Sequence, residues 1–450
     1  MNGIHYRSTN RGLPGGSAET VSFREALLRG PAPDGGLYMP CVLPRLDPAR
    51  LAGLRGAPYA RVACEVLRPF TAGTMPDDDL LRLCEDAYDF DVPVEPLEDG
   101  VWILRLDRGP TASFKDFAAR WMARMMRALR KPGEERTILV ATSGDTGSAV
   151  GEAFRGLEGF RVVLLYPERG VSAVQKRQLD GIGLNVRALS VAGTFDECQA
   201  LVKQAFLDPS LAGLGLSSAN SINIGRILPQ SVYYVYAWLR VVADGGPVTF
   251  SVPSGNFGNS FGCELARRMG LPVARLILAV NANDEFPRFL AGGGYRPVSP
   301  SRACLSNAMN VGNPSNLARY FDVFGGILTR EGTVRKAPDV AAMRAALESV
   351  SIGDDETVAC IRDVWTHRRV LLEPHGAVGV AALRRLGTGA GPAICLETAH
   401  PAKFPEMIER ELGFAPPPPA AFRKLAERTP AVEHISATYE ALRETLTRNA

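Results

Sequence analysis

The chain has 450 residues, 46% hydrophobic and 22% charged, which calls for more than one core and excludes disorder as the main state. Lys and Arg number 51 against 48 Asp and Glu; the resulting +3 is too balanced and too evenly spread for a nucleic-acid or anionic-membrane partner. Eight cysteines stand far apart at positions 41, 64, 84, 198, 263, 304, 360 and 395 with no CxxC, which excludes a structural zinc site or thioredoxin-like motif and suits reduced thiols in a cytoplasmic protein.

From the N-terminus, the polar, glycine-rich stretch Met1 to Gly16 is followed by no apolar run, so no signal peptide is expected. Nowhere does an apolar run approach the ~20 residues of a membrane helix. Ser22-Phe23-Arg24-Glu25 is a capping box opening a short helix that Gly30-Pro31 ends. Pro33-Asp34-Gly35-Gly36 is a turn, proline fixing one dihedral and glycine supplying the positive one. Past residue 100 the texture changes. Short apolar runs at 101–106, 137–142, 162–166, 248–252, 276–280 and 393–396 suit strands of a largely parallel sheet buried on both faces. Helices alternate with them. Over 114–129, Phe114, Phe117, Trp121, Met125 and Leu129 fall on one stripe, and Thr194 through Glu197 forms another capping box. Pro416 to Pro419 is a stiff spacer before a final helical stretch ending at Ala450.

Two strand-to-helix junctions carry chemistry. One is Ser143-Gly144-Asp145-Thr146-Gly147, the other Ser254-Gly255-Asn256-Phe257-Gly258. A glycine-rich turn between strand and helix bares backbone N–H groups at the positive end of the helix dipole, an arrangement that binds anions. Two such turns suggest a phosphate on one ligand and a carboxylate or second phosphate on another. The third feature is Gly109-Pro110-Thr111-Ala112-Ser113-Phe114-Lys115-Asp116-Phe117. Lys115 opens an apolar helix just past a buried strand, where desolvation and the helix N-terminus both favour the free amine. Most lysines are solvated surface groups, but beside two anion loops this one suits a Schiff base with an aldehyde cofactor that carries a phosphate. Other chemistries lack their motifs. There is no GxxxxGK[ST] and no HExxH, and Gly213-Leu214-Gly215 lacks the third glycine of a dinucleotide fingerprint. Gly258-Asn259-Ser260-Phe261-Gly262 fits GxSxG, but its serine would already lie inside a helix.

Together these residues resemble the threonine synthase family, in its longer bacterial and yeast class. The resemblance runs from Tyr6-Arg7-Ser8-Thr9 to about Pro405 through Gly109–Asp116, Ala141–Gly147, Ser218–Gln230, Val252–Gly258, Leu305–Asn316, Pro374-His375 and Thr398-Ala399-His400-Pro401-Ala402-Lys403-Phe404. It implies an α/β, fold-type II pyridoxal 5'-phosphate enzyme, with two parallel-sheet lobes around the cofactor, an N-terminal lobe and a helical C-terminal tail. The corresponding boundaries are 1–95 for the N-terminal lobe, 96–127 with 206–415 for the large lobe, 128–205 for the small lobe and 416–450 for the spacer and tail.

By position, the resemblance implies that Lys115 holds the cofactor, that Gly255, Asn256, Phe257 and Gly258 cradle its phosphate, and that the Thr398 hydroxyl faces its ring nitrogen. Ser143, Gly144, Asp145 and Thr146 would take the amino-acid end of the substrate. Asn220, Ser221, Asn223 and Arg226 would take its phosphate, although helix capping and a salt bridge are the plainer use of that segment. The implied reaction turns O-phospho-L-homoserine and water into L-threonine and phosphate. Protons leave the α and β carbons, phosphate leaves the γ carbon and water adds at the β carbon, with Lys115 in reach of all three. The expected partner is this small phosphorylated amino acid, with no nucleic acid, membrane or metal. Two departures stand out: Arg108 precedes Gly109-Pro110-Thr111 where the family has histidine, and Asn10 displaces Arg11 by one place. They leave open a paralogue acting on a related phospho- or phosphono-amino acid. A non-catalytic phospholigand-binding protein is the alternative of another class, and Lys115 speaks against it.

Overall fold

Runs of Val, Ile, Leu and Ala form strands in this chain because helices cover both faces of each sheet, so no polar alternation is needed. A computed structural model describes residues 3–448. In chain order the strands are β1 (Tyr6–Ser8), β2 (Thr20–Val21), β3 (Tyr38–Pro40), β4 (Val94–Glu98), β5 (Val101–Arg105), β6 (Arg136–Ala141), β7 (Phe160–Pro167), β8 (Val186–Ala192), β9 (Leu216–Ser217), β10 (Val248–Pro253), β11 (Val273–Val280), β12 (Ile327–Leu328), β13 (Val334–Lys336), β14 (Glu348–Ser351), β15 (Ala393–Glu397) and β16 (Val432–Ser436).

The larger sheet has the order β14-β11-β10-β15-β5-β4 and is parallel except for β4 against β5. Phe250 stands opposite Ile394, and Cys395 opposite Ile103. The second sheet, β16-β8-β7-β6-β9, is parallel throughout. The order β2-β1-β3 makes a small antiparallel sheet in the N-terminal lobe, and β12 pairs with β13.

Residues of β6 show how the core divides. Ile138 and Val140 face one cluster that joins the N-terminal lobe to the inner sides of both sheets, while Leu139 and Ala141 face a separate cluster on the outer side. The outer side of the larger sheet buries a third, with Ile103, Ile277 and Cys395. The helix Lys115–Leu129 runs through the inner cluster and packs on the helix Asp145–Phe154 of the second sheet. That position buries more than the expected stripe: Ala118, Ala119, Met122 and Met126 are covered as completely as Phe117, Trp121 and Met125. Both expected capping boxes form, Ser22 with Glu25 and Thr194 with Glu197.

Two strands of the second sheet come from outside the 128–205 segment. β9 is two residues long, too short to show a period, and β16 is nowhere fully buried, so neither leaves an apolar run in the sequence. The tail therefore contributes a strand as well as the helices Ala420–Ala426 and Tyr439–Thr447. The helix end expected at Ala450 lies outside the described residues. Among the described residues no helix is long and apolar enough to cross a membrane. The eight cysteines form no disulfide.

Candidate active site

The site lies at the carboxyl ends of parallel strands, where open α/β sheets bind ligands. β6 leads into the loop Ser143 to Thr146, β10 into Ser254 to Phe257, and β15 directly into Thr398. Gly144 has φ +130° and Phe257, unusually for a non-glycine, φ +57°. A Cβ on Gly144 would also come within 2.8 Å of Gln175. In both loops the turn leaves backbone amides free. Among the described residues, those of Ser143, Asp145 and Thr146 in one loop, and of Gly255, Asn256 and Phe257 in the other, find no protein acceptor. Each set sits at a helix N-terminus, the helices Asp145–Phe154 and Gly258–Arg268, which adds positive potential.

Lys115 stands at the start of its helix, and its position is set by an N–H of Phe114 donating to the carbonyl of Thr398 at 2.9 Å. Its side chain is 14% exposed, and its Nζ lies 3.7 Å from Asp145 Oδ2. Burial pushes the Lys115 amine below the usual lysine range; Asp145 and Glu373 oppose that shift, Lys403 and Arg226 add to it. Asp145 is buried too. Burial alone would raise its acid range, but the charges of Lys403 and Lys115, with hydrogen bonds from Lys403 and Gln175, hold it far below.

Two buried arginines flank the site with no carboxylate in ion-pair distance among the described residues. Arg226 donates to the carbonyl of Ala219 at 2.7 Å and leaves Nε unpaired; burial lowers its range to about 10 against the pull of Asp116. Arg319 is completely buried. It donates to the carbonyls of Ser221 (2.9 Å) and Ile222 (2.7 Å) and to Asn316 Oδ1, and burial lowers its range to about 9. A buried cation without a counter-charge is costly, so two such arginines mark places where anions belong.

The residues expected from sequence converge, with differences in what they do. Asn220 donates to the carbonyl of Ala141 at 2.9 Å and has a buried, unpaired Oδ1 beside the first loop. Ser221 accepts from Asn256 at 2.7 Å beside the second. Phe257 packs edge-on against Phe286. Asn223 is taken up locally: it caps the helix Ile224–Ile227 through Gly225 N–H and donates to the carbonyls of Leu27 and Ser218. Thr398 Oγ1 reaches Glu373 Oε1 at 3.3 Å. Arg108 turns outward, near Glu95 and Asp107 at 3.8 and 3.7 Å, with 41% of its side chain exposed.

Sequence reasoning gave no role to Lys403, Gln175, Asn316, Arg319 or Glu373, which meet these residues, or to His375, which meets Glu373. His375 Nε2 accepts from Ala308 N–H at 3.0 Å, so Nδ1 carries the proton and donates to Glu373. A lysine and an arginine in apolar context were the available signals. A cavity of about 1230 Å³ opens beside the site between Arg29, Lys203, Phe206 and Arg330; it touches the site at Ile222 and Ser315 and does not include Lys115 or Asp145.

A desolvated lysine between two rings of free amides fits an aldehyde cofactor with a phosphate, and the comparisons with known proteins agree. Residues 92–396 match the model of the pyridoxal-phosphate dependent enzymes, 5–88 the threonine synthase N terminus and 376–446 the threonine synthase C-terminal region. The chain is 40% identical to threonine synthase of Pseudomonas aeruginosa over 92% of each chain, and 39% identical to that of Escherichia coli over 95% of this chain and 96% of the other. A crystal structure of PLP-bound threonine synthase from Brucella melitensis superposes with a TM-score of 0.90 at 37% identity, covering 98% of both chains. The chain belongs to the threonine synthase family of pyridoxal-phosphate dependent enzymes.

Proposed function

We propose that this protein converts O-phospho-L-homoserine and water into L-threonine and phosphate, with Lys115 as the residue that carries the cofactor and moves protons. The observation that supports this most directly is the placement of the Lys115 amine beside Asp145, at the first turn that offers free amides, with only β15 between the strand that precedes Lys115 and the strand that leads to the second. Pyridoxal phosphate supplies an electron-withdrawing ring that stabilises negative charge on the substrate's carbons.

The chain's own residues divide the remaining work. The amides of Gly255, Asn256, Phe257 and Gly258 hold the cofactor's phosphate. Thr398 offers a neutral hydroxyl rather than a carboxylate to the ring nitrogen, which leaves proton placement by Lys115 as the main control. Amides of Ser143, Asp145 and Thr146 bind the substrate's carboxylate, while Gly144 gives the loop its turn and donates its own N–H to Thr142 Oγ1 at 3.0 Å. Arg226, with Asn220 and Ser221, takes the substrate's phosphate. Asn223 shapes that segment from behind. The Lys115 amine, which burial pushes towards its neutral form, accepts the proton from the α carbon and remains in reach of the β carbon.

The test is to incubate the cofactor-loaded protein with O-phospho-L-homoserine, following phosphate and identifying the amino acid. Threonine formed in step with phosphate is the expected result. Phosphate with a different amino acid, or no phosphate from a loaded enzyme, overturns it. Replacing Lys115 by Ala should abolish both turnover and borohydride-trappable cofactor, and retention of the trapped cofactor would remove Lys115 from its role.

A further inference from the structure

The site contains a second lysine more deeply buried than the first. Lys403 ends the short turn Pro401–Lys403 that follows β15, and none of its side chain is exposed. Its Nζ lies 2.9 Å from Asp145 Oδ1, while the other oxygen of the same carboxylate faces Lys115 Nζ at 3.7 Å. Gln175 completes the arrangement, donating to Asp145 Oδ1 at 2.9 Å while its own carbonyl accepts from Asn307 at 3.2 Å and from Ser172 N–H at 3.2 Å. The carbonyl of Lys403 in turn accepts from the Ser172 hydroxyl at 3.4 Å. One carboxylate at a helix N-terminus is thus held from both sheets, with a single oxygen turned to the reacting amine.

We infer that Lys403 is a positioning residue for the proposed reaction: by occupying Asp145 it keeps that carboxylate from holding a proton on Lys115. The inference rests on the reading of Lys115 given above. With Lys403 in place, the groups facing the Lys115 amine are Asp145, Lys403, Arg226 and Glu373. Those facing Lys403 are Asp145, Asp116 and His400. Burial favours the neutral amine, and the two cations oppose the pull of the near carboxylate that would undo this. Remove Lys403 and Asp145 faces Lys115 alone, an arrangement that favours a stable ammonium–carboxylate pair. The plain alternative is a salt bridge that only fastens the two lobes. It would make no demand on the protonation of Lys115.

The two readings separate in a pH profile. Protein stripped of cofactor is mixed with pyridoxal phosphate, and the rate of covalent addition at Lys115 is followed by absorbance from neutral to alkaline pH, since only the neutral amine adds. The cofactor's own ionisation is common to all variants. Lys403→Met should move the midpoint up by about one pH unit or more, and Asp145→Asn should move it down, leaving Lys115 with Lys403 and Arg226 against the more distant Glu373. Lys403→Arg should lie close to wild type. Midpoints that move in the same direction, or not at all, overturn the inference. If Lys403→Met does not fold, Lys403→Gln, which keeps a donor for Asp145 and removes the charge, takes its place, and an unmoved midpoint there is equally fatal. A Lys115→Ala protein that still adds the cofactor covalently defeats the reading of Lys115 itself, and a wild-type adduct at Lys115 with unmoved midpoints defeats only the role of Lys403.

Discussion

Asn256 donates to the hydroxyl of Ser221 at 2.7 Å, joining the loop proposed to hold the cofactor's phosphate to the segment proposed to hold the substrate's. Asn316 braces the bond by donating to the same hydroxyl at 3.0 Å and to the carbonyl of Asn256 at 2.9 Å. Ser315 N–H closes the lattice on Asn256 Oδ1 at 2.6 Å. Behind these amides stands Arg319, the completely buried cation whose donors point at Ser221, Ile222 and Asn316.

That position makes Arg319 the first target. Arg319→Met preserves volume and removes a charge that no carboxylate balances, so the fold should tolerate it better than most buried substitutions. The apoprotein should nevertheless bind pyridoxal phosphate at least about tenfold more weakly, roughly 1.4 kcal/mol, because Asn316 and Ser221 lose their support. Binding of pyridoxal, which has no phosphate, should change less. Equal losses for both ligands would mean that Arg319 only supports the fold.

Asn223 and Arg226 share a segment, and the structure separates them. Asn223 makes three buried hydrogen bonds within the protein, one of them a helix cap. Asn223→Ala should cost about 2 to 3 kcal/mol of stability, read by denaturant unfolding. Arg226→Met should instead raise KM for the phosphorylated substrate by about tenfold or more, the scale of one charged hydrogen bond. The reverse pattern would exchange their roles.

Thr398 has two claims on one hydroxyl. It lies 3.3 Å from Glu373 Oε1 and is proposed to face the ring nitrogen. Thr398→Val keeps the shape and removes the hydroxyl. The expected outcome is a modest stability loss of about 1 kcal/mol together with a shifted visible absorbance of the loaded enzyme. An unshifted spectrum would leave the hydroxyl to Glu373 alone.

How much of this could be read beforehand divides along physical lines. The six apolar runs became strands because burial on both faces writes itself into consecutive residues, as at β10 and β15. The glycine-rich loops were legible because turn geometry restricts residue choice. Charged groups buried by distant parts of the chain were not. Lys403 and Asp145 are 258 residues apart, and Arg319 meets Ser221 across 98. Nothing local distinguishes such side chains from solvated ones. Asn223 fails in the opposite sense, since an asparagine before a helix caps it whatever the function nearby. Strand β16 was hidden because its half-buried residues lack any apolar run.

Glu285 offers a test of burial alone, outside the proposed chemistry. It is 1% exposed, and among the described residues neither carboxylate oxygen has a hydrogen-bond partner. Burial raises its acid range from the usual 4.5 to about 8. Between these values the folded protein binds a proton that the unfolded chain has released, so this residue makes stability fall as pH rises through the window. Below it both states are protonated and nothing is lost; above about pH 8 both are ionised and the whole penalty stands, at about 1.4 kcal/mol for each unit of the interval. Glu285→Gln cannot ionise and should therefore gain over wild type. Its advantage in Tm should be small near pH 5, widen steadily towards pH 8 and stay constant beyond. A difference in Tm that is the same at every pH would mean that Glu285 is already ionised or solvated in the folded protein, and that its surroundings open to water.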